Sequence, residues 1–443
     1  MNANDVLSVQ ALLNTLLNEE RTSMQNKFMS QLPSVFSNSM LKTLCVAGAL
    51  AASTQVSASS TDFFGYIRAH AGVSEKGASP ETFGLPGVAK YRLGNENNWA
   101  ELGVKHQFDL PEGYDGKNIE FVMMLADGES ANEATSAFYD NTTFVQSYIK
   151  FDNFLGEGIS AWGGRRFYKR MDIHMNDYFW LNTGAGADGG LGIKGIDLAG
   201  GKFSFASFVF KNLNTVGDTL DDTTGTNFDF RLEGIEVTPN SNINFWLYGA
   251  MKHAGVNGEN ESGLGIGGWV TTEGVMGGSN TTAILYKDGA ASNGQVVLDS
   301  SADFDNLSSF EINNNLVIEP NENYSLQWGV IYKVDESAAT NGKKTWMSTG
   351  VRPVFYMTDH TSVAVELGYD NLDDETTGKD GSLTKATVAL QLAKSRGYYS
   401  RPVMRAFVTA AEWDEDFQND VGGVTYAGDT SGWAAGLQVE AWW

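Results

Sequence analysis

From Asp62 to the last residue, Trp443, apolar and polar side chains alternate with a period of two. That period sends successive side chains to opposite faces of a β-strand, whereas a helix repeats every 3.6 residues. Phe63, Gly65, Ile67, Ala69, Ala71 and Val73 share one small or apolar face; Phe64, Tyr66, Arg68 and His70 share the other. Ala100, Leu102, Val104 and Phe108 oppose Trp99, Glu101, Lys105 and Gln107, with His106 breaking the apolar set. Tyr324, Leu326, Trp328, Val330, Tyr332 and Val334 oppose Ser325, Gln327 and Lys333. Val363, Val365, Leu367 and Tyr369 oppose Ser362, Glu366 and Asp370, and Ala386, Val388, Leu390 and Leu392 oppose Lys385, Thr387 and Gln391.

Polar connections rich in Gly, Asp, Asn and Thr separate these runs, at 213–227, 287–307, 335–344, 372–382 and 414–430. Short turns such as Pro239-Asn240 alternate with them. Long loops at one rim and short turns at the other suit an all-β, transmembrane antiparallel β-barrel. At roughly 10 residues per strand and a comparable mean connection, residues 59–443 make about eighteen strands. Closure removes the unpaired strand edges that lipid does not tolerate. A soluble β-sandwich or β-helix would share the alternation, but the chain shows no short internal repeat of the kind a β-helix or propeller needs.

Residues 1–58 read as an N-terminal extension and signal peptide, and residues 59–443 as the barrel. Lys42 followed by TLCVAGALAAS supplies a basic residue and a short apolar run, and Val56-Ser57-Ala58 is a small-residue cleavage site. The apolar run is too short to span a bilayer as a helix. Met24 and Met40 are alternative starts to Met1. Cys45, the single cysteine, precedes the cleavage point, so the exported part carries no disulfide framework and no thiolate metal site.

The formal net charge is −24, which argues against a nucleic-acid partner, since that affinity needs clustered Lys and Arg. Mean hydropathy is −0.24, as expected of a barrel in which every second residue faces a wet lumen. Histidines at 70, 106, 174, 253 and 360 have no metal-ligand spacing, and no nucleophile elbow or paired-carboxylate motif stands out, so neither an enzyme nor a cofactor or metal is expected. The acidic loops offer carboxylates to calcium without a recognisable ligand loop.

One stretch follows no single period: residues 162–182, WGGRRFYKRMDIHMNDYFWLN. It packs Arg165, Arg166, Lys169 and Arg170, Asp172 and Asp177, and Phe167, Tyr168, Tyr178, Phe179 and Trp180 into one short run. Such a mixture suits a loop between a wet cavity and a packed wall. Charged groups can hydrogen-bond hydroxyls there, and aromatic faces can accept the C–H face of a flat ring. The other reading of the same residues is a structural salt-bridge cluster that pins a loop.

This stretch closely resembles the inward-folded constriction loop of maltoporins, sugar-selective porins of the outer membrane. DFFGYIR from Asp62, KYRLGNE from Lys90, ELGYDN from Glu366, SRPVMRAF from Ser400 and the terminal AWW resemble the same family, in family order, along the whole of 62–443. The resemblance implies a homotrimer in the outer membrane of a Gram-negative bacterium, with oligosaccharides as substrates and membrane lipid outside. It also implies an aromatic slide flanked by polar tracks. By local motif Tyr66, Trp99 and Trp442 match slide positions. Arg68, Arg92, Glu101, Arg170, Asp172 and Asp177 match the polar tracks, and Phe179 stands at a constriction tyrosine. Parity agrees independently: Trp442 shares a face with Ala434, Gly436, Gln438 and Glu440, whereas Trp443 falls on the apolar face with Trp433, Ala435, Leu437, Val439 and Ala441.

The departures from the family pattern point to a shorter rail. Further slide positions hold Asn132, Ser279 and Met357, and a polar-track arginine is replaced by Tyr139. Long maltodextrins would be gripped less well, and shorter or different, sucrose-like sugars come into range. A general ion porin and a surface-binding adhesin barrel are the rival classes.

Overall fold

The computed structural model describes residues 59–128, 143–212, 223–253, 260–292, 306–337 and 342–443. The strands in chain order are β1 (Thr61–Ser74), β2 (Trp99–Phe108), β3 (Asn118–Gly128), β4 (Thr143–Asp152), β5 (Ser160–Arg165), β6 (Lys169–Ile173) and β7 (Tyr178–Thr183). They continue with β8 (Gly189–Leu198), β9 (Gly201–Asn212), β10 (Thr223–Thr238), β11 (Ser241–His253), β12 (Glu261–Val275) and β13 (Gly278–Asp288). The last are β14 (Leu307–Asn321), β15 (Tyr324–Ser337), β16 (Gly342–Tyr356), β17 (Thr361–Asp374), β18 (Lys379–Ala393), β19 (Val403–Trp413) and β20 (Ser431–Trp442).

Eighteen of them form one antiparallel sheet that closes on itself, because β1 pairs with β20 as well as with β2. Strands β6 and β7 stand apart as a hairpin, and β5 pairs directly with β8. Closure is completed past the last strand residue, where Gly65 and Trp443 exchange backbone hydrogen bonds of 3.2 Å. The Trp443 ring lies over Gly65, where a Cβ would come within 2.6 Å of it.

The alternation reads outward-apolar and inward-polar. Along β20, Trp433, Leu437 and Val439 are 43, 57 and 41% exposed, while Ala434, Gln438 and Glu440 are at most 2% exposed. On β17 and β18, Leu367, Tyr369, Val388 and Leu390 face out while Glu366, Asp370, Lys385 and Thr387 are buried. A water-soluble fold puts these sets the other way round. An apolar exterior around a polar interior is the arrangement for which lipid is the outer solvent.

Two-residue turns join β8 to β9, β10 to β11, β12 to β13 and β14 to β15 at one rim. The longer connections 75–98, 166–188 and 414–430 leave the opposite rim. Some expected loops are shorter than composition suggests. β10 begins at Thr223, inside the expected 213–227 loop, and only 375–378 separate β17 from β18. Asn227 is buried beside the Tyr248 hydroxyl, with which its side chain bonds. Polar inward positions of a barrel strand carry the same residue types as a loop, so composition does not separate the two.

The 75–98 connection turns into the barrel rather than away from it. Tyr91 lies flat against Gly350 and Gly368, at either of which a Cβ would stand 2.1 Å from its ring. Its hydroxyl is 2.9 Å from Ser348 Oγ. The Leu93 carbonyl accepts from Lys385 Nζ at 2.8 Å, and the Leu93 N–H donates to Glu366 Oε1 at 3.1 Å. Phe83 packs against Trp413, at the end of β19, and against Tyr426 of the 414–430 connection, at 5.8 and 5.3 Å between ring centroids.

Candidate functional site

The hairpin of β6 and β7 crosses the lumen, and one of its faces is a packing surface. Ile173 and Met175 are fully buried, with Ile173 seated where β15 carries Gly329. Trp180 meets Trp269 of β12 edge-on at 5.6 Å, and Tyr178 meets Trp346 of β16 at 5.0 Å. The Tyr178 hydroxyl donates to Glu311 Oε2 of β14 at 2.6 Å, and Lys169 pairs with Glu233 of β10 at 2.8 Å. Aromatic packing and two charge-assisted contacts therefore fasten the hairpin to the β10–β16 side.

The other face stays partly exposed and holds Arg170, Asp172 and Phe179. Asp172 and Phe179 are direct cross-strand partners. The Arg170 guanidinium carbon lies 4.2 Å from the Phe179 ring centroid and 4.5 Å from that of Phe167. Burial lowers the Arg170 pKa, while the carboxylates of Glu101, Asp177 and Asp172 act in the opposite direction. Glu101 belongs to β2, so this face looks across at the β1–β2 wall.

That wall is an ordered array set by strand register. One row reads Glu101–Tyr66–Trp442 across β2, β1 and β20; the next inward-facing row reads Trp99–Arg68–Glu440. Directly opposed residues on one sheet face are in contact range. Tyr66 and Trp442 lie nearly parallel, with centroids 6.4 Å apart. Trp99 lies over Gly128, where a Cβ would approach its ring to 2.1 Å, and its Nε1–H donates to Glu101 Oε1 at 3.0 Å. A side chain at 128 would lift this indole off the wall.

The tip of the hairpin joins the two sides. The Met175 carbonyl accepts from the Arg92 N–H and from Arg352 Nη2, both at 3.0 Å. Asp177 accepts from Arg68 Nη1 at 3.2 Å, with Arg92 Nη1 at 3.8 Å. Burial raises the Asp177 pKa, but Arg92 and then Arg68 outweigh it and hold the carboxyl below its ordinary range. His174 stands between Arg92 Nη1 at 3.1 Å and Arg401 Nη2 at 3.3 Å. Burial first, and Arg92 second, push it well below the ordinary imidazole range, so it is neutral.

Glu440 is the hub beneath this arrangement. It takes Arg92 at 3.2 Å, Arg401 at 2.7 Å, Arg405 at 3.0 Å and the Tyr66 hydroxyl at 3.1 Å. Arg92 itself is 5% exposed, and Glu96, Tyr66, Glu440 and the hairpin tip occupy its donors. Its geometry is that of a positioning residue behind the wall. Parity put Glu440 on the inner face without giving it a role. The available signal was that it is the one carboxylate on the inner face of the last strand.

The structure thus brings Tyr66, Arg68, Trp99, Glu101 and Trp442 together on one wall, with Arg170, Asp172, Asp177 and Phe179 on the hairpin opposite. Ser279 lies on the inner side of β13. Met357 does not: it lies in the turn after β16 with an exposed side chain, and Tyr356 before it shares the inner face with Arg352 and Val354. A one-residue offset in local alignment exchanges the two faces. Asn132 and Tyr139, like residues 1–58, lie outside the described residues.

A family model described as LamB porin matches residues 61–443. The chain belongs to the LamB porin family. The LamB porin barrel described above is accordingly a channel of the outer membrane and not an enzyme. Among solved structures it is similar to an anion-selective porin from Comamonas acidovorans, at 13% identity and TM-score 0.46, over 86% of this chain and 99% of that one. It is also similar to the outer membrane protein OpdK from Pseudomonas aeruginosa, at 9% identity and TM-score 0.44, over 87% and 99%. For the outer membrane channel DcaP of Acinetobacter baumannii the values are 9%, 0.42, 87% and 97%.

Proposed function

We propose that this porin carries oligosaccharides of the maltose and maltodextrin type, by facilitated diffusion between the β1–β2–β20 wall and the free face of the hairpin. One observation carries the reading: a parallel aromatic pair, Tyr66 and Trp442, stands in a wall whose facing groups of both charge signs are left without ion pairs. Among the described residues Arg170 and Asp172 form no ion pair, and Glu101 takes only the Trp99 indole. Aromatic faces supply dispersion to the apolar side of a pyranose, and the free charged groups exchange hydrogen bonds with its hydroxyls. Many weak and similar contacts hold a sugar without trapping it. Ser279 adds no ring on the inner side of β13, which favours short sugars.

Current through single channels in a planar bilayer tests this, with maltotriose or sucrose added. Block of the wild-type current is expected, and no block by any oligosaccharide would leave a general porin. Trp442→Ala is expected to raise the half-blocking concentration about 3- to 10-fold, the worth of one aromatic contact. Trp443→Ala, whose ring packs outside on Gly65, should slow assembly and leave block unchanged. Equal effects from both would overturn the assignment of faces.

The functional unit of this reading is a homotrimer in outer-membrane lipid, exported with loss of residues 1–58. It is expected to migrate above monomer mass until heated. A monomer sedimenting free of membranes would contradict it.

A further inference from the structure

The line of rings does not stop at Trp442. Its indole meets the His174 imidazole edge-on at 6.0 Å, and His174 meets Tyr399 edge-on at 5.4 Å. Tyr399 meets Tyr398 at 5.0 Å. The rings Tyr66, Trp442, His174, Tyr399 and Tyr398 therefore run on from β1 and β20, past the hairpin tip, to the 394–402 connection between β18 and β19.

The two adjacent tyrosines are used in opposite ways. Tyr398 is 5% exposed, its hydroxyl donates to Gln327 Oε1 of β15 at 2.7 Å, and its N–H donates to Glu319 Oε1 at 2.6 Å. It anchors the connection across the short-turn mouth. Tyr399 is 43% exposed, and its hydroxyl has no hydrogen-bond partner among the described residues. Its ring contacts are Tyr398 beside it in the connection and His174 of the hairpin tip. The contact with His174, at the tip of the inward hairpin, turns the side chain into the lumen and not toward lipid. A phenol keeps its proton at neutral pH, so the hydroxyl can both donate and accept. A tyrosine whose ring is half free and whose hydroxyl is unused does little for packing.

We propose that Tyr399 is a sugar-contact residue, extending the aromatic track from Trp442 to the short-turn mouth of the channel. A pyranose leaving Trp442 would pass over the neutral edge of His174 and stack on the Tyr399 ring, with the phenol hydroxyl bonding a sugar hydroxyl. The assignment rests on the sugar-channel reading above.

The test is block of single-channel current by maltotriose and by sucrose, each added to one side at a time. Tyr399→Ala is expected to raise the half-blocking concentration about 3- to 10-fold, with the association rate falling mainly for sugar arriving from the short-turn side. Tyr399→Phe should keep most of the wild-type block, because the ring remains. If Tyr399→Ala does not assemble, Tyr399→Leu keeps apolar bulk without a flat face and should show the same loss. Wild-type block combined with an unaffected Ala or Leu variant, or a loss confined to sugar from the long-loop side, overturns this assignment alone. A wild-type channel that neither sugar blocks overturns the sugar-channel reading and this one with it.

Discussion

Glu440→Gln is expected to destabilise the barrel by about 3–5 kcal/mol, the usual consequence of removing one partner from a buried charge network. The glutamine keeps the shape of the side chain and loses its charge. Arg92, Arg401 and Arg405 would then face one another in a low-dielectric setting with their shared carboxylate gone. The consequences spread, because each guanidinium has a second task. Arg92 holds His174 at the hairpin tip, and its backbone N–H holds the Met175 carbonyl. Arg401 lies 4.5 Å from the Trp442 ring centroid. The expected readouts are a lower temperature for loss of the folded, slowly migrating form and a noisier open channel. A variant with wild-type melting and a quiet current would show that the arginines find other partners and that Glu440 does not organise the constriction.

Phe179→Ala is expected to widen the pore, raise single-channel conductance and speed the passage of bulkier sugars. The ring is on the free face of the hairpin and is one of two that sandwich Arg170. Its loss removes a cation–π contact worth about 0.5–2 kcal/mol and frees the guanidinium to move. The hairpin itself should stay docked, since Tyr178, Trp180 and Ile173 fasten the opposite face. Phe179→Tyr adds a hydroxyl beside Asp172 and should shift selectivity toward maltodextrins, following the constriction tyrosine that the family resemblance implies. Unchanged conductance and size cutoff in Phe179→Ala would mean that the narrowest point lies elsewhere in the lumen.

The faces of the strands were legible in the chain because parity is a property of extended backbone alone. Trp442 and Trp443 are adjacent, and period two suffices to turn one inward and the other outward. The strand number followed from length, and the odd mixture at 162–182 marked a segment that belongs to neither face of a wall. Which charges meet could not be read that way. Arg92 reaches Glu440 across 348 positions of sequence, and only closure of β1 against β20 makes them neighbours. Whether Arg92 touches the channel or stands behind its wall depends on the inward turn of the 75–98 connection, which rests on two glycines, Gly350 and Gly368, remote in sequence from Tyr91. Tyr399 stands just before the SRPVMRAF run, beside Tyr398, with nothing local to distinguish the two. The sequence by itself determined a closed sheet with a polar inside, since alternation and chain length are local quantities. The tertiary structure decided which inner groups are consumed by one another and which remain free to face the lumen, because that depends on contacts between segments that only the closed barrel and its inward loops bring together.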